Sequence, residues 1–139
     1  MGRNDRLAMR WLMYPLVVTM VALVGGCSKA STSSADIVGI WQSVDGATIK
    51  LENTGQFVVT GLPGFPVLGR PHQDERLSGV GRWQLQEGTM GREIKLVFDR
   101  LGDRERVGVR ILTSGKGTSL KLFIWEDEEG GARYEFEKK

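Results

Sequence analysis

The stretch Ala47-Thr48-Ile49-Lys50-Leu51-Glu52 decides the fold. Apolar and polar residues alternate along it without a break: Ala47, Ile49 and Leu51 on one side, Thr48, Lys50 and Glu52 on the other. A period of two is the signature of a half-buried strand, because successive side chains point to opposite faces. Asp45-Gly46 precedes the stretch and suits a hairpin turn, and Asn53-Thr54-Gly55 follows it as a second turn. Each turn implies a neighbour: a strand over residues 37–43 before, and one over 56–60 after, with Phe57 and Val59 inward.

Outward from there the same alternation recurs. Residues 77–86 place Leu77, Trp83 and Leu85 on one side, with Gly79 and Gly81 on that same inward face. Paired inward glycines permit a sharp bend or the close approach of another strand. Four further stretches follow at 93–99, 106–111, 120–125 and 133–137, led inward by Ile94, Leu96 and Phe98, then Val107, Val109 and Ile111, then Leu120, Leu122 and Ile124, then Tyr134 and Phe136. No amphipathic helix of useful length is legible. Eight short sequential strands predict an all-β fold, an eight-stranded antiparallel meander closed into a barrel, since closure removes exposed edges. The alternative is a two-sheet β-sandwich. The interior of an eight-stranded barrel is either filled by side chains or holds one small ligand.

Ahead of the domain lies Trp11-Leu12-Met13-Tyr14-Pro15, continuing without a charge to Val24 and then Gly25-Gly26-Cys27. Arg3, Arg6 and Arg10 precede the run. It is shorter than the roughly 20 apolar residues a spanning helix needs, and suits the core of a signal peptide. Val24-Gly25-Gly26-Cys27 resembles the lipobox of bacterial lipoproteins. The resemblance implies cleavage before Cys27, lipidation of its thiol, and a membrane anchor in the cell envelope. Two acyl chains hold a protein to a bilayer where one does not. The expected organisation is a signal peptide over 1–26, the lipidated Cys27 with a Ser/Thr-rich flexible tether over 27–35, and the β domain over 36–139.

Removal of the leader takes Arg3, Arg6, Arg10 and Asp5 with it, so the 19 Lys+Arg and 17 Asp+Glu of the full chain become equal in number. A neutral domain with interspersed signs lacks the concentrated basic surface that nucleic acid demands. Cys27 is the sole cysteine, so the domain beyond it has no disulfide and no cysteine-based metal or redox centre. No cofactor is expected, and a monomer is.

Gly39-Ile40-Trp41 opens the first strand, and a G-x-W there resembles the opening motif of lipocalin-like barrels. That resemblance implies that Trp41 plugs the closed end of the barrel beneath an arginine from near the last strand, with Arg133 as the candidate. The domain is also similar to a group of uncharacterised small bacterial lipoproteins. The match runs through Gly39–Trp41, Gly61-Leu62-Pro63, Gly79-Val80-Gly81-Arg82-Trp83 and Tyr134-Glu135-Phe136. It departs at Asp127-Glu128-Glu129-Gly130, where the group has a more regular acidic turn. These motifs are structural and imply a fold without an activity.

The connection over residues 61–76 is too long for a simple hairpin and shows Phe65, Val67 and Leu68 among prolines and glycines. Such a loop serves as a lid, as a contact for a partner, or as a cap folded onto the core. Phe123 and Trp125 fall in the outward phase of their strand and form a second candidate contact patch. His72, the one histidine, stands near Asp74, but no second histidine completes a metal site. Glu126-Asp127-Glu128-Glu129 lacks the spacing of a calcium loop and reads as a solvated turn. Arg100, Arg104, Arg106, Arg110 and Lys121 form a basic zone, neutralised in sequence by Asp99, Asp103 and Glu105. Together these features predict a non-enzymatic, lipid-anchored envelope protein that binds a small apolar ligand or an envelope component. The alternative is an interaction module that meets a protein partner through the 61–76 loop.

Overall fold

The computed structural model describes residues 32–139. The leader, Cys27 and the first part of the tether lie outside the described residues. Strands make up more than half of the described chain: β1 (Gly39–Gln42), β2 (Thr48–Leu51), β3 (Gln56–Pro63), β4 (Arg76–Gly88), β5 (Gly91–Leu101), β6 (Arg104–Glu105), β7 (Gly108–Ser114), β8 (Lys121–Asp127) and β9 (Ala132–Lys138). Two single-turn helices accompany them, α1 (Ser34–Ile37) and α2 (Phe65–Leu68). Ser34 and Ala35, expected in the tether, belong to α1. There the Asp36 carboxylate accepts hydrogen bonds from the Ser33 amide and hydroxyl at 2.7 and 2.8 Å.

The sheet runs β4-β3-β2-β1-β9-β8-β7-β5 and closes through β4–β5, all antiparallel. This is the expected closed eight-stranded barrel, with the two-residue β6 added beside β5. The sandwich alternative is excluded, because β1 pairs with β9 at Trp41↔Lys138 and Gln42↔Glu137, which joins the first and last strands of the ring.

The predicted inward faces are the buried ones. Trp41, Ile49, Leu51, Phe57, Leu96, Phe98, Ile111, Leu122 and Phe136 fill the interior. Burial of each such large side chain is worth about 1.5–3 kcal/mol. Phe57 and Phe98 meet edge to face with centroids 4.7 Å apart, and Tyr134 and Phe136 do the same at 5.1 Å. The Phe98 ring occupies the room left by Gly79, where a Cβ would stand 2.8 Å from its Cδ1. At Gly81 a Cβ would strike the Val97 carbonyl, beside the register shift between Val80 and Gly81. The two inward glycines thus seat β4 against β5 and its aromatic.

Two departures from a regular barrel position the site. First, β3 continues to Pro63, and the 61–76 connection then folds into α2 and a 3₁₀ turn at Arg70–His72. Val67 and Leu68 pack on the core. Second, β7 and β8 pair only at Leu112↔Phe123, Thr113↔Leu122 and Ser114↔Lys121. Beyond that, residues 108–111 and 124–127 diverge, and β8 is bent by an irregularity between Trp125 and Asp127. The wall has a seam.

Candidate functional site: a seam in the barrel wall

The seam opens into a groove of about 820 Å³. Val109 of β7 and Ile124 of β8 form its banks, and Pro66 and Val67 of α2 supply its floor. α2 packs directly against β8, which is why a four-residue helix reaches the opening. Met90, on the β4–β5 turn, overhangs one end and is 67% exposed. Trp125, Arg110, Thr89 and Glu128 make the outer rim. Apolar banks and polar rim groups line the groove in roughly equal measure.

Trp125 belongs to a cluster on the outside of the barrel. Phe123 and Trp125 meet edge to face, centroids 5.2 Å apart and planes at 83°. The Arg133 guanidinium lies over both rings, 4.3 Å from the Phe123 centroid and 4.7 Å from that of Trp125. Strand pairing explains the geometry: Arg133 is the register partner of Trp125. Phe123 points outward as its phase predicts, yet it is only 3% exposed. Among the described residues Arg133 makes no salt bridge.

Arg133 therefore does not sit over Trp41, and that expectation is corrected. Trp41 is fully buried and its Nε1 donates to the Ile37 carbonyl at 2.8 Å. The cation nearest its ring is Lys138, with Nζ 5.6 Å from the centroid, because Lys138 faces Trp41 across β1–β9. Arg133 is five residues earlier on β9 and points outward.

A polar clasp escaped the sequence reading. The Asp45 carboxylate accepts from the Ser43 and Tyr134 hydroxyls and from Arg76 Nη1 at 2.7 Å. Burial alone would raise its pKa, but the hydrogen bonds from Ser43, Tyr134 and Arg76 outweigh it and hold Asp45 well below the usual carboxylate range. Burial, and then the hydrogen bond to Asp45, push the Tyr134 phenol up to about 12. In sequence Asp45, followed by Gly46, signals only a turn. Nothing local signals that Tyr134, 89 residues on, closes over it. The clasp borders a smaller cleft of about 440 Å³ on the other side of Pro66, where Phe65, Arg70 and Glu126 also lie.

The remaining candidates are placed as follows. Phe65 lines that second cleft, Val67 the seam, and Leu68 the core. His72 is engaged at both ring nitrogens: Arg104 Nη2 lies 3.1 Å from Nε2, and Nδ1 lies 2.9 Å from Glu75 Oε1. Since Arg can only donate, Nε2 is the acceptor and Nδ1 carries the proton to Glu75, a tautomer assigned from these partners. Its partner is thus Glu75 and not Asp74. Asp127 Oδ1 accepts from the Glu129 amide at 3.0 Å, which makes the 126–129 acids a turn. Among the described residues no three His, Cys, Asp or Glu side chains converge to hold a metal ion. In the basic zone, Arg100 pairs with Glu105 at 3.4 Å and Arg110 with Glu93 at 3.7 Å. Lys121 pairs with Glu137 and Glu135. Among the described residues no helix is long and apolar enough to cross a membrane. No protein-family model matches this chain, and neither curated proteins nor solved structures match it.

Proposed function

We propose that this chain is a lipid-anchored protein of the bacterial envelope that binds an envelope component at the β7–β8 seam, without catalysis. The observation that carries the reading is the contrast between a barrel interior filled by side chains and a wall that opens between β7 and β8. A ligand carried inside the barrel, the first expectation for this fold, would have to displace Trp41, Phe57, Phe98 or Phe136. The seam needs no such rearrangement. The anchor rests on the leader and on Val24-Gly25-Gly26-Cys27. The 61–76 loop enters this reading as the floor of the site, through Val67, rather than as a free partner-binding arm. A second reading, a small apolar molecule seated in the same groove, is favoured by its apolar banks and volume.

The test uses the full chain expressed with its leader. A photocrosslinking residue replaces Met90 at the seam or, as control, Val58 on the outer wall of β3. Adducts from position 90 and none from 58 are expected, together with a diacylglyceryl mass on Cys27. Adducts equal at both positions, or at neither, would remove the seam from the account. An unmodified Cys27 would remove the anchor.

A further inference from the structure

We propose that the cleft beside the Asp45 clasp is a second binding site, and that it takes a neutral mono- or disaccharide. It lies across Pro66 from the seam and works whether or not the seam is occupied. The loop that builds it is locked from both sides. The Gly64 amide donates to the Glu75 carbonyl at 2.9 Å, and Gly64 lies so close to His72 that a side chain there would strike the His72 carbonyl. His72 in turn is held by Glu75 and by Arg104 of β6. Arg70 and Gln73 stand on either side of His72 in that turn, so the backbone that carries them is fixed before a ligand arrives. A preformed site loses little binding energy to its own ordering.

The lining decides the class of ligand. Its four charged residues are two of each sign, Asp45 and Glu126 against Arg70 and Arg76. Arg76 and Asp45 are already bonded to each other at 2.7 Å. An anion would meet the two carboxylates, and a cation the two guanidinium groups, so charge selects neither. Hydrogen-bonding capacity is what the cleft offers. Arg70, Gln73 and Glu126 line it, and among the described residues their side chains make no hydrogen bond or salt bridge. The Asp45 carboxylate has about four acceptor positions, of which the Ser43, Tyr134 and Arg76 donors fill three. Vicinal hydroxyl groups, each donor and acceptor at once, pair with guanidinium, amide and carboxylate together. Beside these groups stand Phe65 and Tyr134, both half-buried. The C–H face of a pyranose is weakly positive and packs against the negative face of an aromatic ring. A purely apolar molecule would leave the polar groups without partners.

The probes are the methyl glycosides of glucose, galactose, mannose and N-acetylglucosamine, with inorganic phosphate and glycine betaine as charged controls. The full chain expressed with its leader is titrated in detergent. Saturation-transfer NMR follows the probe, and backbone amide shifts follow the protein. At least one glycoside should bind saturably, moving the amides of Arg70 and Gln73 but not those of Val109 and Ile124. Its affinity should be the same at low and high salt, because a neutral ligand is not screened. Arg70→Ala and Glu126→Ala, both at exposed positions where folding is not at stake, should each weaken it about tenfold, the loss of one hydrogen bond to a charged group. Phe65→Ala should weaken it too, and Lys50→Ala on the outer wall of β2 should not. Failure of all four glycosides to bind overturns the inference. So does tighter binding of phosphate or betaine, an affinity that falls with salt, shifts centred on the seam, or binding that survives both Arg70→Ala and Glu126→Ala.

Discussion

Replacing Trp41 with phenylalanine isolates what closes the end of the barrel. The substitution removes the 2.8 Å hydrogen bond from the indole to the Ile37 carbonyl, in a fully buried position. An acceptor left unsatisfied away from water costs about 1–3 kcal/mol. The missing ring leaves a void of roughly 40 Å³, which at about 24 cal/mol per Å³ adds about 1 kcal/mol. The loss should therefore total about 2–4 kcal/mol. For a domain of this size each kcal/mol lowers the melting temperature by about 4–8 °C, so a fall of roughly 8–30 °C is expected. Urea denaturation followed by far-UV circular dichroism measures the free energy, and a double-mutant cycle makes the test specific. Trp41→Phe and Arg133→Ala should add to within about 0.5 kcal/mol, because Arg133 lies against Phe123 and Trp125 instead. Coupling above about 1 kcal/mol would refute the placement of Arg133 and restore the arrangement implied by the G-x-W resemblance. A loss under about 1 kcal/mol for Trp41→Phe alone would refute the closed, filled end.

Three further outcomes are expected. Gly81→Ala drives a methyl group into the Val97 carbonyl and should cost at least 2 kcal/mol, more than Gly108→Ala, whose Cβ meets nothing within 4 Å, in the same denaturation assay. Tyr134 is the one tyrosine after residue 27, so phenolate absorbance of a chain beginning there reports it alone, and its midpoint should stand near 12. Because the folded value lies above the unfolded one near 10, the Tyr134 contribution to stability is complete below pH 10 and is lost as pH rises towards 12. Asp45 runs the opposite way: its folded pKa is depressed, so its contribution is full above about pH 4 and fades as acid protonates it, and Asp45→Asn should flatten that acid limb in a pH series of melting temperatures.

How far residues alone reach is clearest by comparing two regions. The alternation of Ala47, Ile49 and Leu51 with Thr48, Lys50 and Glu52 matches the observed burial residue for residue, since one face of every strand is set against the core. Gly79 and Gly81 announced a close approach, and Phe98 is what approaches. The seam was invisible for the same reason that the strands were visible. Val107, Val109 and Ile111, like Leu120, Leu122 and Ile124, alternate without interruption, so nothing marks where two good strands cease to pair. The β7–β8 ladder stops just before the irregularity in β8, where α2 packs against that strand. The clasp of Asp45, Ser43, Arg76 and Tyr134 and the pairing of Trp41 with Lys138 are likewise products of register across β1–β9, which period-two patterning does not encode.

That meeting of β1 with β9 also governs how the molecule comes together in time. The contacts that stitch them span most of the chain: Tyr134 reaches Ser43 across 91 residues, and Lys138 reaches the Asp36 carbonyl across 102. Contacts so distant along the chain bear the full entropy of drawing the ends together, and proteins dominated by them fold slowly. Hairpins such as β4–β5 can zip locally and early. The circle itself is completed late, and until then β1 presents an unsatisfied margin to any neighbouring chain. Crowded nascent copies would be most vulnerable to mispairing in that interval.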